Sequence, residues 1–133
     1  MKRVSAGPPF QAEITSLRWL RTQEEGLVLS GHEYGYMIEA VSFQPAYLDK
    51  DYYLQSKDKL KINLTQEIFM SRDYDRISEF LSKNNITYIW INSEMKHGSP
   101  WKKDDDGMLL IIRNSRPFTL VYSYLGVDIW KFS

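Results

Sequence analysis

Two short apolar segments, Leu27–Ser30 and Ile86–Asn92, constrain the possible folds of this chain more than any other feature of its sequence. The first is apolar on both faces, which is typical of a central strand in a covered, partly parallel sheet. The second is built from β-branched and aromatic residues, which favour strands. Each follows a segment, Phe10–Gln23 or Ser71–Asn84, in which apolar residues recur at helical spacing. The sequence therefore predicts helices and strands in alternation.

The remaining elements continue this alternation. Tyr36–Ser42 and Gly107–Arg113 predict short helices, and Lys50–Ile62 predicts an irregular or partly helical segment. Phe118–Tyr124 and Val127–Phe132 predict two strands separated only by a Leu-Gly turn, which indicates an antiparallel hairpin. Together the elements predict an α/β fold, a Rossmann-like three-layer α/β sandwich with a mixed sheet that ends in this hairpin.

The length of the chain, 133 residues, is typical of one domain. Hydrophobic residues make up 43% of the sequence, which is enough to form a core at this size. Residues 1–9 contain Gly, Pro and Ser and predict a flexible N-terminal segment. We therefore expect a single α/β domain over residues 10–133.

Composition excludes several classes of function. Lys and Arg together number 17, as do Asp and Glu, so the chain lacks the basic excess expected of a nucleic-acid-binding protein. The absence of cysteine excludes disulfides and thiolate metal sites. The sequence contains neither a run of about 18 apolar residues nor the apolar core of a signal peptide. We expect a cytoplasmic protein or a soluble part of a longer chain.

The strongest candidate for a binding site is the loop that follows the first predicted strand. It contains His32, Glu33, Tyr34, Gly35 and Tyr36. Loops at the carboxyl ends of strands hold ligands in open α/β sheets. The imidazole and carboxylate of this loop could act as a general base, or could bind a cation or a sugar hydroxyl. The alternative is a polar turn in which Gly35 supplies a positive φ.

Two further segments are weaker candidates. Trp101 lies in a loop that contains Gly and Pro, where we expect it to be exposed at the rim of the site. Asp104 and Asp106 match the DxD pattern that binds Mg²⁺ or Mn²⁺ in nucleotide-sugar transferases. The same acidic run is typical of a helix N-terminus. P-loop, GxGxxG, HExxH and GxSxG motifs are absent, so the residues alone assign no catalytic or metal-binding role.

Four pieces of the chain, taken in order, resemble a known family of proteins. They are Ser16–Arg21, Leu27–Ser30 with the Tyr-Gly turn after it, Phe80–Ile89, and Phe118–Lys131. This arrangement resembles the soluble extracytoplasmic domain that follows the membrane helices of GT-C-type glycosyltransferases. Oligosaccharyltransferase catalytic subunits and their uncharacterised relatives are the nearest group, and the resemblance extends from about Glu13 to Phe132.

Oligosaccharyltransferase catalytic subunits carry a WWDYG signature directly after the strand, which helps to hold the Ser or Thr of the acceptor sequon. By the resemblance, these five positions are occupied by Gly31, His32, Glu33, Tyr34 and Gly35. Tyr34 and Gly35 match the signature, and Glu33 retains its acidic character. Glycine and histidine stand in place of the two tryptophans, so the indole N–H donors are absent.

The resemblance implies a non-catalytic domain without a cofactor or a metal, at the extracytoplasmic face of a membrane protein. Its implied partners are the transmembrane part of its own parent chain and a glycan or peptide acceptor, which the 32–36 loop and Trp101 would bind. The residues leave two alternatives open. One is a stand-alone α/β domain with metal-dependent nucleotide-sugar transferase or hydrolase activity through Asp104 and Asp106. The other is a structural interaction domain.

Overall fold

The computed structural model describes residues 8–48, 56–103 and 105–133, and these ranges contain six α-helices and four β-strands. The helices are α1 (Pro8–Arg21), α2 (Gly35–Ser42), α3 (Ser56–Met70), α4 (Tyr74–Lys83), α5 (Ser93–His97) and α6 (Met108–Ile112). The strands are β1 (Leu27–Leu29), β2 (Ile86–Ile91), β3 (Phe118–Tyr124) and β4 (Val127–Phe132). A 3₁₀ helix of one turn, His32–Tyr34, joins β1 to α2.

The four strands form one mixed sheet in the order β1-β2-β4-β3. β1 and β2 are parallel, whereas β4 is antiparallel to both β2 and β3. Leu125 and Gly126 join β3 to β4 with φ angles of 49° and 85°, as a tight two-residue hairpin turn requires. The predicted mixed sheet and its closing hairpin are therefore confirmed.

The apolar sequence of β1 predicts a central strand, but β1 lies at an edge of this sheet. Its outer side is nevertheless covered, because the Val28 N–H donates to the Pro45 carbonyl at 2.9 Å and the Tyr47 N–H donates to the Val28 carbonyl at 2.8 Å. Ala46 forms an isolated parallel bridge with Val28. β1 is therefore apolar because helical layers cover both of its faces and the segment that contains Ala46 covers its outer edge. The strand that occupies the predicted central position is β2.

Two apolar cores lie on opposite faces of the sheet. On one face, Val28 and Trp90 pack in a cluster with residues of α1 and α2, such as Leu17 and Ile38. On the other face, Ile89 of β2 belongs to a cluster that includes residues of α3, α4, α5 and α6. Successive residues of β2 point to opposite faces, as the pleat of a strand requires. These two cores confirm the three-layer α/β sandwich.

The helices differ from the sequence prediction mainly at their ends. α1 begins at Pro8, two residues before the predicted start, and the prediction for residues 1–7 lies outside the described ranges. α3 begins at Ser56, within a segment for which the sequence shows only weak periodicity. α4 begins at Tyr74, three residues after the start of the predicted helical segment at Ser71, and Asp73 caps it, because the Asp73 carboxylate accepts the Arg76 N–H at 3.2 Å.

The predicted exposure of Trp101 is wrong, because this side chain is fully buried. Its ring packs edge-on against Phe69 with the ring centroids 5.2 Å apart. Its Nε1 donates to the Phe69 carbonyl at 2.8 Å. The indole therefore supplies both apolar surface and the donor that a buried carbonyl needs. Trp101 is a core residue packed against α3 and does not lie at the rim of the candidate site.

Candidate functional site

A cleft lies at the edge of the sheet where β1 and β2 end. Because these strands are parallel, the segments that follow them, the 3₁₀ helix and α5, meet at the same edge. The cleft has a volume of about 530 Å³. It is lined by Glu33, Tyr34, Ser93, Glu94, His97, Gly98 and Ser99. The sequence predicted a binding site at the 3₁₀ helix but did not predict that α5 would contribute to it.

Tyr34 connects the two walls of the cleft. Its hydroxyl donates to Glu94 Oε1 at 2.9 Å, which ties the 3₁₀ helix to α5. Its ring packs on Trp90 of β2, with the ring centroids 5.4 Å apart and the planes inclined by 56°. The phenol therefore has a fixed position, with its polar end at the cleft and its apolar face on the core.

Glu33 lines the cleft, whereas His32, which precedes it in the 3₁₀ helix, is not one of the lining residues. His32 Nδ1 lies 3.7 Å from Glu33 Oε1. A Cβ at Gly31 would lie 2.6 Å from the same carboxylate oxygen, so glycine at this position allows the Glu33 side chain to fold back over the loop. Gly35 has φ of −57° and begins α2, so the positive φ expected for it is wrong. Tyr36 follows on α2 with 70% of its surface exposed.

A buried polar network lies beneath the cleft. Asn92, directly after β2, accepts the Met95 N–H at 2.9 Å and thereby caps α5. Its Nδ2 donates to Glu13 Oε2 of α1, also at 2.9 Å. Ser16 Oγ accepts from Trp90 Nε1 at 2.9 Å and donates to the Glu13 carbonyl at 2.7 Å. This network joins α1 to both elements that hold Tyr34 in place.

Burial raises the pKa of the Tyr34 phenol well above its ordinary value of about 10. The carboxylates of Glu94 and Glu33 raise this pKa further, whereas a hydrogen bond with Asn92 opposes the shift. The phenol therefore stays neutral in the folded protein at pH values where an exposed tyrosine ionises. At neutral pH it acts as a hydrogen-bond donor.

This raised pKa predicts how stability changes at alkaline pH. Above about pH 10 the unfolded chain loses the Tyr34 proton while the folded protein retains it, so stability falls as pH rises toward the folded pKa. Tyr34→Phe removes this contribution, and we expect its free energy of unfolding to fall less than that of the wild type between about pH 8 and pH 11. Urea unfolding at the two pH values measures the difference. An equal fall in both proteins would contradict the prediction.

The cleft presents mainly hydrogen-bond acceptors and hydroxyl groups. Glu33 and Glu94 contribute carboxylates, Ser93 and Ser99 contribute hydroxyls, and His97 contributes an imidazole. Carboxylates and hydroxyls are suited to accept the N–H groups of a peptide or the hydroxyls of a sugar or of Ser and Thr.

The metal site predicted from Asp104 and Asp106 lies partly outside the described residues. No group of three His, Asp or Glu side chains in residues 8–48, 56–103 and 105–133 is placed to hold a metal ion. Asp104 lies outside these ranges. Asp106 accepts the Lys102 N–H at 2.9 Å, which is the geometry of a local turn.

The fold and the cleft together define a class: a three-layer α/β domain whose candidate site lies where two parallel strands end. The sequence itself matches no protein-family model and no curated protein. Solved structures share the fold over almost the entire chain. They are C-terminal globular domains of oligosaccharyltransferase from Archaeoglobus fulgidus.

The likeness to these domains is structural, with low sequence identity. One C-terminal globular domain, of AfAglB-S2, gives a TM-score of 0.70 at 14% identity and covers 96% of this chain and 98% of that one. A second gives a TM-score of 0.59 at 14% identity and covers 95% and 96%. The oligosaccharyltransferase tethered to an acceptor peptide with an NVT sequon gives 0.55 at 16% identity, over 96% of this chain. The chain therefore has the fold of an archaeal oligosaccharyltransferase C-terminal globular domain.

This chain spans 19% of the length of the oligosaccharyltransferase that carries the tethered peptide. Among the residues that the structure describes, no helix is both long enough and apolar enough to cross a membrane. The fold shared with the Archaeoglobus domains confirms, at the level of the fold, the family resemblance identified in the sequence.

Proposed function

We propose that this chain is a non-catalytic domain of a membrane-embedded, oligosaccharyltransferase-like protein, located at the extracytoplasmic face, and that its Tyr34 cleft contributes to binding an acceptor. The observation that carries this proposal is the match of nearly the whole chain to one part of a complete oligosaccharyltransferase. The reacting groups of such a protein would lie outside this domain. Its partners would be the transmembrane part of the parent chain and a peptide or glycan acceptor.

The position of the cleft supports this role. Gly31–Gly35 is separated from the end of β1 by one residue, and by the sequence resemblance this is the position of the WWDYG signature of oligosaccharyltransferase catalytic subunits. Tyr34 is fixed on Trp90 and bonded to Glu94, so the cleft has a defined shape without a ligand. A preformed cleft with a few fixed polar groups is typical of binding sites.

The bound states of the similar enzymes also support an acceptor role. One structure of the Archaeoglobus enzyme contains a tethered acceptor peptide, and another contains an inhibitory peptide and a dolichol-phosphate. A peptide acceptor offers backbone N–H groups and Ser or Thr hydroxyls. Glu33 and Glu94 can accept hydrogen bonds from these donors, each worth about 1.5–3 kcal/mol.

The test is glycan transfer by the full-length parent protein that carries substitutions in the cleft. Tyr34→Phe removes the hydroxyl that bonds Glu94 but keeps the ring on Trp90. Glu33→Gln removes an exposed carboxylate. We expect Glu33→Gln to lower transfer at limiting acceptor concentration by about tenfold, which corresponds to the loss of one charged hydrogen bond to the acceptor. We expect Tyr34→Phe to lower transfer as well, because the Glu94 carboxylate is then no longer held in place.

Matched controls are available on α4. Tyr74→Phe and Glu79→Gln make the same chemical changes at exposed positions that do not line the cleft. We expect these variants to transfer glycan at the wild-type rate. If Tyr34→Phe and Glu33→Gln also match the wild type, with an unchanged melting temperature, the acceptor-binding role is excluded.

A further inference from the structure

The turn between β3 and β4 presents two apolar side chains at the end of the domain that carries the Tyr34 cleft. Tyr124 and Leu125 are 55% and 61% exposed. We propose that this hairpin tip, Tyr124–Gly126, extends the Tyr34 cleft and binds an apolar side chain of a peptide acceptor. The inference rests on the proposed function, and it narrows the acceptor to a peptide with an apolar residue beside the segment held in the cleft.

The hairpin tip lies at the same edge of the sheet as the cleft. Ile91, the last residue of β2, pairs with Asp128 of β4, so the turn before β4 lies beside the start of α5. Gly126 is close to Ser93 of α5, because a Cβ at Gly126 would lie 3.4 Å from the Ser93 Cβ. Ser93 also lines the cleft. The tip and the cleft therefore meet at Ser93, and one extended ligand can contact both.

The backbone of the turn does not favour leucine at position 125. Leu125 has a φ of 49° and Gly126 has a φ of 85°. A two-residue turn with positive φ at both central residues prefers Asn-Gly or Asp-Gly. A bulky side chain at a positive φ is strained, and such strain is concentrated at functional sites. Leucine therefore makes this turn less stable than asparagine would, and an apolar contact with a ligand accounts for its presence.

The tip differs in chemistry from the cleft beside it. Residues 123–127 carry no charge, whereas Glu33 and Glu94 place two carboxylates in the cleft lining. An extended peptide has the matching pattern, because its backbone N–H groups can bond to carboxylates while an apolar side chain packs on the leucine and the phenol ring. A glycan offers mainly hydroxyls, with which Leu125 cannot form hydrogen bonds. The combination therefore favours a peptide.

The test is a titration of the 133-residue chain with two fluorescent peptides that share a central Asn-Ala-Thr sequon. The sequon is flanked on both sides by leucine in one peptide and by glutamine in the other. Fluorescence anisotropy gives the two dissociation constants. We expect the leucine-flanked peptide to bind about tenfold more tightly, because one of its leucine side chains is removed from water at the tip.

Leu125→Asn tests the assignment to the tip. This variant should bind the two peptides with equal affinity. Its melting temperature should rise above that of the wild type, because asparagine adopts a positive φ more readily than leucine does. Leu60→Asn is the matched control, at an exposed leucine of α3 that does not line the cleft, and it should keep the preference for the leucine-flanked peptide.

The outcomes separate this inference from the proposed function. Equal binding of the two peptides by the wild type, or a preference that persists in Leu125→Asn, would overturn the inference. If Glu33→Gln then still weakens the binding of both peptides, the proposed function stands, and if Glu33→Gln weakens neither, the proposed function fails as well. Without saturable binding of either peptide the inference fails, and glycan transfer by the parent protein alone decides the proposed function.

A membrane contact is the alternative that the same variant detects. Phosphatidylcholine vesicles are added to the chain in place of the peptides, and sedimentation measures the bound fraction. Vesicle binding that Leu125→Asn abolishes, without a preference between the peptides, would identify the tip as a membrane contact and would overturn the inference.

Discussion

Trp101→Ala is expected to lower the free energy of unfolding by about 3–5 kcal/mol, the range for removal of a large aromatic side chain from a core. The substitution removes the ring that packs on Phe69 and leaves a cavity behind α3. It also deprives the Phe69 carbonyl of the donor at 2.8 Å. Urea unfolding monitored by circular dichroism measures the change.

A second variant separates packing from hydrogen bonding. Trp101→Phe keeps an aromatic ring in the core but removes the Nε1 donor, and we expect it to cost about 1–3 kcal/mol. Tyr36→Ala, at a highly exposed aromatic residue, should change stability by less than about 0.5 kcal/mol. A loss of less than about 1 kcal/mol for Trp101→Ala would show that the indole is not part of the core.

Asn92→Ala is expected to lower the free energy of unfolding by about 2–4 kcal/mol. Loss of the cap on α5 accounts for about 1 kcal/mol. The remainder comes from the buried Glu13 carboxylate, which loses the Asn92 Nδ2 donor. Chemical denaturation gives the total change, and amide hydrogen exchange of α5 reports local opening of the cleft wall.

Asn92→Asp divides these two contributions. An aspartate keeps the oxygen that caps α5 but replaces the amide donor with a second carboxylate next to Glu13. We expect Asn92→Asp to be at least as unstable as Asn92→Ala at neutral pH, because like charges would be buried together. In the Glu13→Gln background the penalty of Asn92→Asp should become smaller. An Asn92→Asp protein as stable as the wild type would show that only the cap matters.

The parts of the fold that the sequence predicted depend on local signals. The hairpin is predicted by alternating strands around Leu125-Gly126, and the positive φ angles of this turn are a local property. β2 is predicted by its β-branched and aromatic residues. The helix–strand order follows from apolar periodicity, and these local signals were sufficient for the three layers.

The parts that the sequence did not predict depend on long-range contacts. Glu13 and Asn92 are 79 residues apart, and no local pattern pairs them. Trp101 follows Gly and Pro, which favour a surface loop, but its indole lies in the core and donates to the Phe69 carbonyl. Asn92 followed by Ser-Glu is a helix-cap pattern that could have predicted α5.

Only one of the two segments that form the candidate site was predicted, again because the other depends on a long-range contact. Glu33 and Tyr34 were predicted from the strand before them, whereas Glu94 and His97 required knowledge that β1 and β2 are parallel neighbours. Once that pairing is known, the rule that ligands bind where parallel strands end identifies both segments.

α5 is a helix of five residues that forms part of the wall of two clefts. Glu94 lines the cleft that contains Tyr34, and Lys96 lines a second cleft, of about 370 Å³, between α5, α6 and the β3–β4 hairpin. A ligand that binds in one cleft and moves α5 therefore changes the shape of the other cleft. Thermodynamic reciprocity then requires that each ligand alter the affinity of the other by the same factor. Occupancy of the two clefts would thus be reported in one common signal, the hydrogen exchange of α5.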